Sequence, residues 1–182
     1  VTSTYIGATG VWTASGAIAN VNAVVAGLTL TPAANFNASF SIATSVSDGV
    51  ASPITGSKAF TGIAVNDAPT ATNLSTAETY TEDTPLNLVD IVVSDIDSAN
   101  VTASLTLSNP AAGSLSTATS GAVTSTYNAT TGVWTASGAI ADVNALLAGL
   151  TLTPTANFNA SFSIATSVSD GVASPITGSK AF

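Results

Sequence analysis

Residues 1–60 align without a gap on residues 123–182, an offset of 122, and differ at seven positions. These are Ile6/Asn128, Gly7/Ala129, Ala8/Thr130, Asn20/Asp142, Val24/Leu146, Val25/Leu147 and Ala33/Thr155. So close a duplication demands a fold in which the same residues serve twice, and so points to a repeat architecture. Three differences stand together just ahead of Thr9-Gly10 and Thr131-Gly132, where a variable hairpin tip is expected. The two Val/Leu exchanges are of the kind a core accepts. The chain therefore reads as residues 1–65, the second half of one repeat plus a linker strand, and residues 66–182, a nearly complete repeat lacking its last strand residues. It opens on Val1, and both ends fall inside runs that read as strands, so a window onto a longer periodic array is expected. In that case residues 1–60 cannot close a sandwich alone and either pair with a neighbouring chain or form an incomplete module with exposed edges.

Short alternating runs at Asn87–Ser94, Val101–Ser108, Ala122–Tyr127, Val133–Ser137, Leu150–Thr153, Ser161–Ser169 and Ile176–Phe182 predict strands. Asn109-Pro110, Ala112-Gly113, Thr131-Gly132 and Asp170-Gly171 supply turns between them. With 46% apolar residues there is enough material for a buried core. The pattern predicts an all-β, antiparallel, immunoglobulin-like sandwich without the cysteine pair of true immunoglobulin domains. One stretch breaks the alternation: Ile140, Val143, Leu146 and Leu147 share a face at helical spacing, with Gly149 placed to cap the end. This predicts one short helix per repeat, with residues 18–27 repeating it. Trp12 and Trp134 lie on neighbouring strands and read as core aromatics rather than ligand-stacking platforms.

The net charge is −8, carried against only two lysines, Lys58 and Lys180, and no arginine. Without phosphate-binding cations, nucleic acid is excluded as a partner. An acidic chain of this kind is repelled by anionic lipid and attracts divalent cations. The longest apolar stretch, Ala139 to Leu152, is interrupted by Asp142 and Asn144 and is too short to insert into a membrane. There are no cysteines for disulfides or thiolate metal sites, which leaves calcium as the natural substitute staple.

Seven of the ten acidic residues fall between Asp67 and Asp97. They belong to Asn66-Asp67-Ala68-Pro69, Glu82-Asp83-Thr84-Pro85, Asp90 and Asp95-Ile96-Asp97, with Glu78 between. Here the chain resembles the bacterial cadherin-like and immunoglobulin-like tandem repeats of giant, repeat-rich surface adhesins of the RTX type. The resemblance rests on an apolar strand running into Asn-Asp-Ala-Pro (Gly62 to Pro69), the Glu-Asp-Thr at Glu82, and the Asp-x-Asp at Asp95. Further along it includes the Thr-Pro-x-x-Asn-Phe-Asn ending at Asn159 and the Ser-Asp-Gly at Asp170.

The resemblance covers the whole chain and implies type I-like secretion, an extended stalk on the bacterial cell surface, and calcium between neighbouring repeats. It implies Asp67, Glu82, Asp95 and Asp97 as ligands, with Asn66 as an additional one. The chain departs from well-known calcium patterns: it has no Gly-Gly-x-Gly-x-Asp nonapeptides, and Asp95-Ile96-Asp97 lacks the glycine and closing glutamate of an EF-hand loop. Crowded carboxylates repel one another unless a cation sits among them, and a hard cation wants six to eight oxygens. The alternative is that these acids cap turns by accepting from nearby backbone N–H groups, which for Asp48 and Asp170, each before a glycine, is the expected role.

No histidine or cysteine is present, so the usual acid–base and nucleophilic devices are missing and no enzyme is expected. A glycosidase pair of Glu82 with Asp95 or Asp97 is formally available. A carbohydrate- or protein-binding module would need an exposed aromatic patch, for which Tyr80 is the one open candidate. A third possibility is a homopolymeric extracellular filament, in which residues 1–60 exchange a strand with a neighbouring chain.

Overall fold

In the computed structural model, which describes all 182 residues, the chain separates into two units, Val1–Val65 and Asn66–Phe182. The first unit consists of β1 (Thr2–Ile6), β2 (Val11–Ser15), α1 (Ile18–Ala26), β3 (Phe40–Val46) and β4 (Ile54–Phe60). β1 and β2 form one antiparallel hairpin, with Tyr5 opposite Trp12. β3 and β4 form another, with Phe40 opposite Phe60. The two hairpins share no strand, and no side chain in this unit is buried.

The second unit begins with β5 (Thr70–Ala71), β6 (Leu86–Asn87), β7 (Val93–Ser94) and β8 (Asn100–Leu107). A 3-10 turn at Pro110–Ala112 leads into β9 (Gly113–Leu115), β10 (Thr119–Ser120), β11 (Val123–Thr124), β12 (Thr126–Asn128) and β13 (Val133–Ala139). Then follow α2 (Ile140–Ala148), β14 (Thr151–Pro154), β15 (Ser163–Ser169) and β16 (Ile176–Ala181). The main sheet is antiparallel in the order β12-β13-β8-β15-β16. β8 is its middle strand, and Leu105 lies opposite Trp134 on one side and Thr166 on the other. A three-stranded sheet, β6-β14-β9, and the pairs β10-β11 and β5-β7 complete an all-β, sandwich-like fold.

Alternation along β8 puts Val101, Ala103, Leu105 and Leu107 inside. They join Trp134, Ile164, Val168, Leu152 and the inner face of α2 in one core. Val143, Leu146 and Leu147 of α2 are buried and Ile140 packs at the margin, the face expected from their spacing. Gly149 occupies the helix C-cap, but with φ −94° it does not use the left-handed conformation that favours glycine. No helix is long and apolar enough to cross a membrane.

Some strand expectations need correction. Asn87–Ser94 is not one strand but two short pieces, β6 and β7, separated by Leu88–Val92. Side chains satisfy the backbone of that gap: Val89 N–H donates to Glu78 and Val89 C=O accepts from Lys180. Ala122–Tyr127 is likewise split between two sheets at Ser125, whose buried hydroxyl accepts from Ala118 N–H and donates to Ala118 C=O. Gly113, expected in a turn, opens β9, where a Cβ would sit 3.0 Å from Pro154 Cα.

Candidate functional site

The loop from β7 to β8 and the segment entering β5 meet at the Asn66 end of the second unit. Asp95 closes an Asx turn, its Oδ1 accepting from the N–H groups of Asp97 (2.8 Å) and Ser98 (2.7 Å). Asp97 Oδ2 accepts from the N–H of Asp67 at 2.7 Å, which ties the incoming chain to this loop. Asn66 Nδ2 donates to Asp67 C=O (2.8 Å) and to Asp170 Oδ2 (2.7 Å). Asp170 Oδ1 accepts from Val172 and Ala173 N–H, the turn role expected of an Asp-Gly pair. The Asn66 hydrogen bond, followed by these backbone bonds, holds the Asp170 carboxyl below the usual carboxylate range. Asp48 makes the same turn with Val50 and Ala51, and those bonds lower its pKa in the same direction.

Glu82 lies elsewhere. Its neighbour Asp83 accepts from Asn157 N–H in the loop ahead of β15, whereas Asp170 follows the far end of β15. A seven-residue strand separates the two positions by about 20 Å. Asn66, Asp67, Asp95 and Asp97 are thus gathered at one end and Glu82 at the other. The glycosidase pair of Glu82 with Asp95 or Asp97 is not assembled.

Calcium fits this end only as a partial shell. Asp95 Oδ2 is buried and has no hydrogen-bond partner, so one oxygen is free for a cation. Among the side-chain oxygens of Asn66, Asp67, Asp95 and Asp97, Asp95 Oδ1 and Asp97 Oδ2 are the two taken up by backbone N–H groups. No three acidic side chains converge as a metal-binding group, well short of the six to eight oxygens calcium takes. The chain matches no family model, no curated protein and no solved structure.

Several polar groups that sequence reasoning passed over organise the second unit. Lys180 is fully buried, with Nζ 2.8 Å from Glu78 Oε1 and 3.2 Å from Val89 O. Its signal was its register: Ile176, Gly178, Lys180 and Phe182 alternate onto one face, so a lysine there points where apolar residues point. Asn144 on α2 accepts from Val93 N–H and donates to Val93 C=O, both at 2.9 Å, taking the place of a strand partner. Trp134 Nε1 donates to Ser116 O, as a core indole requires. Tyr127 OH donates to Gly113 O, and burial pushes its pKa up. Tyr80 packs among Phe158 and Phe162 and donates to the carbonyls of Phe158 and Ala160. It is therefore part of an aromatic cluster at the core margin.

Proposed function

We propose that the Asn66–Phe182 unit is a structural spacer: an immunoglobulin- or cadherin-like repeat of an extended stalk or fibre on a bacterial cell surface, with calcium at its junctions. The observation that carries this reading is that one unit, within a single 122-residue period, closes its own core. Near-identity of the duplicated halves supports it, because a spacer is selected for length and number whereas a binding site diverges. Gathering of Asp67, Asp95 and Asp97 at the end where the linker enters supports a junction role. Asp95 Oδ2 and Asp97 would contribute to a shell whose remaining oxygens come from water and the adjoining repeat. Glu82, at the other end of its unit, would serve the opposite junction.

A bound cation would relieve repulsion among these carboxylates and stiffen the joint. The test is a thermal melt of a protein with two complete repeats, in calcium and in chelator, beside an Asp95→Ala/Asp97→Ala variant. Calcium should raise the melting temperature of the parent and not of the variant; coincident melts would remove calcium from the reading. A second reading, a filament built by strand exchange between chains, is favoured by the unpaired edges of β2 and β3. Light scattering separates the two, since a stalk repeat stays monomeric.

A further inference from the structure

Two sixty-residue stretches that differ at only seven positions occur once with the inner face covered and once with it bare. Leu150, Leu152, Ile164 and Val168 are at most 2% exposed, while their counterparts Leu28, Leu30, Ile42 and Val46 are 40–70% exposed. The covering in the second unit is the segment Asn66–Ala122, which supplies β8 between β13 and β15 and both neighbours of β14. In the first unit the corresponding β2 and β3 have no strand between them, and residues 29–32, matching β14, form no strand.

Polar side chains repeat the contrast. Tyr127, Trp134, Asn144, Thr166 and Lys180 each hydrogen-bond into Asn66–Ala122, at Gly113, Ser116, Val93, Leu74, and Glu78 with Val89. Their counterparts Tyr5, Trp12, Asn22, Thr44 and Lys58 are the same residue types in a sequence that differs at seven places, none of them these five. Lys58 has no carboxylate partner in the first unit and lies over the Phe60 ring instead, 5.6 Å from its centroid.

We propose that the bare face of Val1–Val65 is the docking surface for a further copy of the segment Asn66–Ala122, contributed by a repeat additional to those represented in this chain. The incoming strand lies antiparallel between β2 and β3 in the register of β8, with its Leu105 opposite Trp12 and Thr44. Its Glu78 pairs with Lys58, and its Val93 with Asn22. Main-chain ladders on both sides of one inserted strand supply affinity, and the alternating pockets supply specificity. Counting decides the source. The chain has one such segment and two faces that fit it, so exchange between identical chains moves the segment but leaves one face per chain bare. This inference does not depend on calcium or on a stalk.

The test adds the isolated segment 66–122, which contains no tryptophan, to the full chain carrying Trp134→Phe, so that emission reports Trp12 alone. Expected are a saturable one-to-one blue shift, loss of acrylamide quenching, and at least tenfold weaker binding for Lys58→Met or for a Glu78→Gln segment. Hydrogen exchange on the unsubstituted chain gives an independent readout, with new protection expected in β2 and β3. Absence of saturable binding by both measurements overturns the proposal, as does binding indifferent to both ion-pair variants. A chain that is already dimeric with Trp12 shielded before any segment is added also overturns it, in favour of a second copy as the occupant.

Discussion

Glu78 and Lys180 hold the backbone of Val89 between them: Glu78 Oε2 accepts its N–H at 3.0 Å and Lys180 Nζ donates to its C=O at 3.2 Å, while the two side chains pair at 2.8 Å. The side chains are 5% and 0% exposed, so removing either charge strands the other in the interior. Glu78→Ala should destabilise the second unit by about 3–5 kcal/mol, whereas Glu78→Leu with Lys180→Met should restore most of that loss. Lys58→Met should leave the same transition unmoved. Urea titration of the four chains checks the ordering.

Trp12 and Trp134 are equivalent in sequence, but Trp134 is fully buried whereas Trp12 is only half-buried. Acrylamide should quench two populations in the parent chain, one accessible and one protected. In the Trp12→Phe chain only the protected population should remain. Equal quenching of Trp12 and Trp134 would contradict the bare face of the first unit.

Gly178 passes under the segment that follows β5, where a Cβ would stand 2.6 Å from Leu74 O and from Ser75 Oγ. A backbone oxygen held by Thr166 cannot retreat cheaply. Gly178→Ala should therefore lower stability by about 1–3 kcal/mol, in the range of overpacking. At the matching Gly56 a Cβ meets only the rotatable Thr44 hydroxyl, at 3.1 Å, so Gly56→Ala should be near neutral. Thermal melts of the two variants give the comparison.

Acid should weaken the Asn66–Asp170 link. Because the folded pKa of Asp170 is lowered, its contribution is complete above the unfolded value of about 3.9 and is lost as pH falls through the lower folded value. The Asp170→Asn chain should melt below the parent at pH 7, and the difference should close below about pH 4. A difference that stays constant down to pH 2 would show that the charge plays no part.

Periodicity made β8, β13, β15, β16 and α2 legible: β8 and α2 carry an apolar stripe on one face, and β13, β15 and β16 keep the two-residue alternation even where Thr166 and Lys180 take inner positions. β5, β9 and β10 were not legible because two or three residues show no period, and their pairing is decided by distant partners. Leu88–Val92 misled for a related reason: it reads as part of an extended apolar run, but its buried residues Leu88 and Ile91 are three apart, and Glu78 and Lys180 satisfy Val89 in place of a ladder. That Asn66, Asp67, Asp95 and Asp97 belong together was expected only from the resemblance, since Asp67 and Asp97 stand 30 residues apart and meet through one backbone hydrogen bond. Separation of Glu82 was not expected, because nothing local to Glu82-Asp83-Thr84 tells which end of the sandwich that loop reaches. Lys180 was passed over as one of two lysines, although its alternation with Ile176 and Phe182 held the clue.

The near-identity of the two halves has a consequence for how such a protein is made. While a ribosome extends the chain, residues 1–60 emerge before Asn66–Ala122, and residues 123–182 emerge after it. The newly exposed segment thus meets an upstream suitor first. Of the seven differences, only Val24/Leu146 and Val25/Leu147 exchange side chains that the second unit buries. Each exchange is a single methylene, worth about 0.8 kcal/mol. Chemistry alone therefore separates the correct partner from the wrong one only weakly. Folding fidelity must rest on tethering, because only the two-residue turn Gly121-Ala122 separates β10 from β11, and so short a connection gives the downstream half the higher effective concentration. Lengthening that connection with a flexible insert would remove the advantage and invite exchange between neighbours, the characteristic misassembly of repeat proteins.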